Sequence, residues 1–144
     1  MKGIDPITTF EKLAFGSGGV GMKVKRGDNI TPKGTFAVGW VNGSSKFNIF
    51  IGLNYPNLEY AERAYRSGVI KEKAFLQIKD ALNAGQTPPQ HTPLGGYIGI
   101  HGVGKGSLEI HQAIDWTNGC VALDNGQITK LAKVVRKGMV VHIR

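Results

Sequence analysis

The sequence predicts a mainly β fold with a helical insertion, an α+β class, and three observations carry that expectation. Glycine supplies 21 of the 144 residues, a composition suited to turns and strand crossings. Apolar residues alternate with small or polar ones across residues 34–43 and again across 46–56. Helical spacing appears only in the middle of the chain and in one segment before its last residues. The length suits one hydrophobic core, so residues 1–144 are expected to form a single domain.

Near the N-terminus, Gly16, Gly18 and Gly21 formally satisfy G-x-G-x-x-G. A dinucleotide site needs a helix after those glycines, but MKVKRGDNITPKG reaches Gly27 and Pro32 without helical spacing. Met22 also stands where a phosphate loop needs its lysine. The glycines are therefore read as turn and strand-crossing residues.

Phe36, Val38 and Trp40 alternate up to Asn42-Gly43, a strong turn signal, and Phe47, Ile49, Ile51 and Leu53 alternate beyond it. Two strands joined at Asn42-Gly43 are expected. Residues 59–67 and 71–84 change period, with Phe75, Ile78 and Leu82 at helical spacing and Gly85 as the stop. After the turn-rich GQTPPQHTPLGG, residues 96–102 return to strand alternation through Tyr97, Ile98 and Ile100. Asp124 and Gln127 form a capping-box pattern before a helix using Ile128, Leu131, Val134 and Val135, and MVVHIR is a final strand.

Eighteen Lys and Arg against ten Asp and Glu give a net charge of +8, which favours an anionic partner or surface. The basic residues are scattered and lack the aromatic interleaving of a single-strand binder, so no nucleic-acid partner is expected. Residues 1–6 hold no apolar leader, and nothing approaches the ~18 apolar residues of a membrane span. No stable membrane insertion is expected, and a signal segment is expected to be removed or to lie outside this chain.

Cys120 is the sole cysteine, which excludes an internal disulfide and a Cys-rich zinc site. It is either a buried filler or a working thiol. A working thiol needs an imidazole to take its proton and a third group to aim that imidazole. Of the four histidines, His142 lies in the terminal strand and His91 in a Pro-rich loop. His101 ends an apolar strand beside Gly102, whose carbonyl can aim the ring, while His111 is the weaker rival. The turn Asn118-Gly119-Cys120 offers backbone N–H groups for an oxyanion. With His101 as base, Cys120 is expected to react quickly near neutral pH.

The strand ending Ile-His-Gly, fifteen intervening residues (102 to 116), and then Thr117-Asn118-Gly119-Cys120-Val121 resemble the YkuD-type L,D-transpeptidase catalytic domain. GDNITPKGTF, LDNGQITKLAKVVRKGMVVHI and SKFNIFIGLNYPN support the resemblance, the last looking most like the periplasmic subgroup allied to YafK. The likeness runs from about residue 21 to 143; residues 1–20 match poorly.

The resemblance implies a YkuD-type mixed-sheet β-sandwich and cysteine-dependent acyl transfer on peptidoglycan stem peptides. It makes Cys120 the nucleophile, His101 the base and the Gly102 carbonyl its orienting group. It also makes the N–H groups of Asn118, Gly119 and Cys120 the oxyanion hole, with Thr117 and Trp116 against substrate. No cofactor and no metal are implied, and the place of action is the periplasm or cell envelope. Wall-anchored protein is a second class of partner, and hydrolysis by a carboxypeptidase or amidase is the alternative outcome. A non-catalytic wall-binding module is the rival class. Asn118 stands where many members have a second histidine, and Ala122 where many have an arginine.

Overall fold

A computed structural model describes residues 12–45 and 48–144. Its strands are β1 (Val20–Gly21), β2 (Thr31–Pro32), β3 (Gly34–Ser45), β4 (Asn48–Leu53), β5 (Gly99–His101), β6 (Val121–Ala122) and β7 (Val140–Ile143). Its helices are α1 (Leu58–Ser67), α2 (Glu72–Asn83), α3 (Leu108–Ala113) and α4 (Asn125–Ala132). Five strands form one mixed sheet in the order β6-β5-β4-β3-β7, and β1 and β2 make a separate parallel pair. The α+β class with a helical insertion is what the chain adopts.

Alternation along β3 and β4 puts Phe36, Val38, Ile51 and Leu53 into the core, as the period-two pattern requires. The inserted helices cover that face with Tyr60, Ala61 and Ala64 from α1 and Ile78 from α2. Asn57 caps α1 by accepting the Tyr60 N–H at 3.0 Å. Tyr65 and Phe75 stack at 4.9 Å between the two helices. Buried tyrosines bring their polar ends to main-chain acceptors: Tyr60 donates to the Lys33 carbonyl at 2.6 Å and Tyr55 to that of Leu94 at 3.1 Å.

The structure departs from the predicted elements in four places. First, β3 runs through Asn42-Gly43 to Ser45, because Asn42 pairs with Phe50 and Ser45 with Asn48 across a register irregularity. The turn signal therefore marks a bulge rather than the hairpin end; Lys46 and Phe47 lie outside the described residues. Second, β5 is only three residues long, since Tyr97 takes a left-handed φ of 55° that breaks the extended run and leaves its ring 52 % exposed. Third, α4 stops at Ala132, and Val134 is 62 % exposed instead of continuing the apolar face. Fourth, α3 was not predicted; Ser107 caps it by accepting the Ile110 N–H at 3.2 Å.

The capping box at α4 is present in both directions, with Gln127 N–H donating to Asp124 at 2.7 Å and Asp124 N–H donating to the Gln127 side chain at 3.1 Å. Asp124→Ala should therefore lower folding stability by about 1 kcal/mol, measured as a fall in the urea midpoint at unchanged m-value. An unchanged midpoint would show that tertiary packing alone holds α4 in place.

Candidate active site

The site is assembled where β6 meets β5. These strands run parallel, pairing Ile100 with Val121 and His101 with Ala122, so Cys120 emerges at the start of β6 while His101 sits at the end of β5. Leu123 N–H donates to the His101 carbonyl at 2.8 Å, which locks the register. On its other side β6 is braced by Ala14: the two residues exchange N–H···O bonds with Ala122 at 3.0 and 2.7 Å. Residues 14–17, in a segment with little pattern in the sequence, thus form part of the site's frame.

The turn before Cys120 is held by its own hydroxyl network. Thr117 Oγ1 donates to the Cys120 carbonyl at 2.6 Å and accepts the Gly119 N–H at 3.1 Å. Thr31 Oγ1 accepts the Gly16 N–H at 2.7 Å and lies 3.4 Å from the same Cys120 carbonyl. Gly119 has φ of +137°, and a Cβ there would stand 3.1 Å from both the Ile30 carbonyl oxygen and Ile98 Cδ1. Backbone conformation and close approach both require glycine.

Cys120, His101, Trp116, Thr117 and Asn118 border one cavity of about 440 Å³ whose other walls include Phe50, Tyr97 and Ile98. His101 is buried, and its Nδ1 lies 2.7 Å from the Gly102 carbonyl oxygen. A carbonyl only accepts, so Nδ1 carries a proton, and the lone pair of the ring in its neutral form is on Nε2. Phe50 stacks on that ring at 6.1 Å and Trp116 meets it edge-on at 5.9 Å, fixing its plane.

Cys120 Sγ donates to the Tyr97 carbonyl at 3.2 Å. Burial pushes the thiol up to about 11, while the Gly99 backbone and the Lys23 ammonium pull it down by less. The resting thiol is therefore neutral at pH 7. The left-handed Tyr97 that shortens β5 is the residue whose carbonyl accepts this hydrogen bond.

The predicted site residues are thus brought together, with two changes of detail. Gly119 N–H is already donated to Thr117, which leaves the N–H groups of Asn118 and Cys120 as the open donors of the turn among the described residues. Thr117 is buried, and its hydroxyl is committed to the turn while the residue borders the cavity. His111, the rival base, lies outside the cavity lining; it is buried, accepts the Trp116 indole N–H at 3.3 Å, and is held below the ordinary histidine range by burial. His91 and His142 are paired with the Tyr97 hydroxyl and Thr35 at 2.8 Å each. Sequence reasoning missed the contribution of Tyr97, whose exceptional φ had no glycine or asparagine to announce it. Among the described residues no His, Cys, Asp and Glu cluster could hold a metal ion, and no helix is long and apolar enough to cross a membrane.

The mixed sheet thus brings a cysteine, an oriented histidine and a glycine turn to one cavity. The sequence matches the family model of the L,D-transpeptidase catalytic domain, YkuD, over residues 6–143, and the chain belongs to that family. The match begins earlier than the segments recognised in the sequence, in keeping with the bracing role of residues 14–17. Two solved structures of the helical cell shape determining protein Pgp2 from Campylobacter jejuni, one a lysine-to-alanine mutant, are similar to it at 26% identity. Their TM-scores are 0.56 for the mutant and 0.54; each alignment covers 90% of this chain, but 35% and 36% of the other. Bd1075 from Bdellovibrio bacteriovorus shares the fold at 19% identity and TM-score 0.53, covering 92% of this chain and 37% of its own. The chain thus spans about a third of the length of these structures. No curated protein matches the sequence.

A neutral resting thiol has a direct kinetic signature. Alkylation of Cys120 by iodoacetamide should be slow at pH 7 and rise about tenfold per pH unit until it levels near pH 11, since only the thiolate reacts. A rate already level at pH 7, followed by mass spectrometry, would show that the resting protein holds a thiolate.

Proposed function

We propose that this chain is a cysteine-dependent acyltransferase acting on peptidoglycan stem peptides in the cell envelope, on the periplasmic side. The observation that carries the reading is the convergence of Cys120 and a Gly102-oriented His101 on one cavity through a single parallel strand pair. Family membership supplies the substrate class.

In this reading the Cys120 proton passes to His101 Nε2 as sulfur attacks the carbonyl of an L-centre to D-centre bond at diaminopimelate. The Gly102 carbonyl stabilises the imidazolium through Nδ1–H, as a third group must. The Asn118 and Cys120 N–H groups receive the oxyanion. His101 then returns the proton to the departing amine, leaving a thioester on Cys120. An acceptor amine forms a cross-link and regenerates the thiol; water forms a free carboxylate instead.

Hydrolysis is the second reading, and Ala122 favours it. This residue is fully buried between Ala14 and His101, so it offers an acceptor peptide no charged contact. Cross-linking requires the amine of a second stem peptide to outcompete ~55 M water, which needs additional acceptor contacts.

Disaccharide-tetrapeptide incubated with the protein should give tripeptide and a free D-residue, with dimers linked between diaminopimelates as the mark of transfer. Cys120→Ala should abolish both products, and His101→Ala should slow them on the order of a hundredfold or more. Turnover that survives Cys120→Ala would end the proposal. Wall binding without turnover, released by salt, would instead identify a charge-driven binding module.

A further inference from the structure

Tyr97 meets Cys120 through its main chain, borders the Cys120 cavity, and leaves its ring half exposed. Its hydroxyl lies 2.8 Å from His91 Nε2. We propose that Tyr97 is a positioning residue for the nucleophile: its carbonyl latches the Cys120 thiol in the resting protein, and the pairing of its hydroxyl with His91 keeps the latch closed. The inference rests on the reading of Cys120 as nucleophile and adds to it a restraint that is released before the thiol reacts.

The latch is held in a conformation that a tyrosine does not choose. A φ of 55° crowds the Cβ of any residue but glycine against its own backbone, so it persists only where neighbours hold it. Here Tyr97 N–H donates to Gln90 Oε1 at 2.8 Å, the hydroxyl pairs with His91, and the ring meets Trp40 edge-on at 6.4 Å. The two loop partners are themselves fixed. Gln90 Nε2 donates to the Tyr55 and Pro88 carbonyls at 2.8 and 2.9 Å. On the other side of His91, the carbonyl of buried Thr92 accepts from Arg26 Nη2 and from Gly95 N–H, each at 2.9 Å. Gly96 lets the loop close on itself, since a Cβ there would stand 2.3 Å from the Gln90 carbonyl oxygen. His91 is thus an exposed side chain on an anchored stretch of backbone.

The carbonyl of residue 97 lies downstream of the bond that φ turns, so relaxation of Tyr97 toward extended backbone would swing that oxygen away from Sγ. The change has a chemical sign. The Tyr97 oxygen can accept only from the neutral thiol, whereas the Gly99 backbone and the Lys23 ammonium favour the thiolate. Opening the latch removes a support of the protonated form and leaves those of the ionised one. The S–H bond must also turn from this oxygen before its proton can pass to His101 Nε2, so loss of the Tyr97 contact precedes proton transfer.

The titratable groups about Cys120 are His101 in the same cavity, Lys23, and the Tyr97 hydroxyl and His91 of the latch itself. Tyr97→Phe deletes one oxygen and keeps the ring, while His91→Ala deletes the partner. Iodoacetamide alkylation of Cys120, followed by mass spectrometry between about pH 7 and 11, reads the latch in both. The midpoint of the profile should fall by about half to one pH unit in each variant, raising the rate at neutral pH roughly threefold to tenfold, as loss of one hydrogen bond to the thiol predicts. His91→Gln keeps a hydrogen-bonding group without a titratable one and should stay near the wild-type profile. A midpoint that is unchanged or raised in either deletion variant, a fall in His91→Gln equal to that in His91→Ala, or a shift that comes only with collapse of the urea midpoint would overturn the latch. The assay needs no wall substrate, so its failure strikes the latch alone, and absence of tetrapeptide turnover by the wild type strikes the peptidoglycan reading alone.

Discussion

The site depends on the main-chain pairing of a two-residue strand. Val121 and Ala122 lie between β5 on one side and Ala14 on the other, and the bonds from Leu123 to His101 and between Ala122 and Ala14 hold them in one register. Each such bond contributes about 1 kcal/mol net, and a slip of one residue would turn Cys120 to the opposite face. The thiol's position is therefore set by backbone geometry before any side chain acts. The hydroxyls of Thr31 and Thr117 then fix the turn leading into it.

This arrangement separates holding a nucleophile from activating it. The Tyr97 carbonyl gives the Cys120 proton an acceptor that cannot itself take the proton away, so the sulfur stays neutral and protected from adventitious oxidation, which favours thiolates. The oriented imidazole stands in the same cavity, with Phe50 and Trp116 limiting its rotation. Trp116 is restrained in turn by buried His111, so the helix that carries His111 supports the aromatic wall from behind.

Features encoded by short patterns were legible in the sequence. The alternation of Phe36, Val38, Ile51 and Leu53 gave the central strands, Asp124 and Gln127 gave the start of α4, and the place of His101 at a strand end beside Gly102, together with the family resemblance, pointed to the pair that shares a cavity. What escaped depends on tertiary choices among locally similar options. Asn42-Gly43 can turn a hairpin or absorb a bulge, and pairing with Phe50 decides for the bulge. Tyr97 has the alternation of a strand residue, yet it takes a left-handed φ and its carbonyl accepts from Cys120 Sγ. Gly119 marked the turn correctly, but only the position of the Thr117 hydroxyl shows that its N–H is already used. The contribution of residues 14–17 is made by main-chain groups, which leave little trace in residue type.

The crossing of Gly16 beneath the cysteine turn bears on how this protein can change over generations. A Cβ at Gly16 would meet the Asn29 carbonyl oxygen at 2.1 Å and the Cα of Gly119 at 3.1 Å, so two distant segments touch there through bare backbone. Lining side chains that make no bond to the cysteine turn, such as Phe50, can be exchanged to admit new substrates without touching this crossing. The crossing itself cannot drift, since a substitution at either glycine would require a compensating shift in the other segment. Selection can thus redraw part of the pocket's wall while the backbone crossing at its base stays frozen.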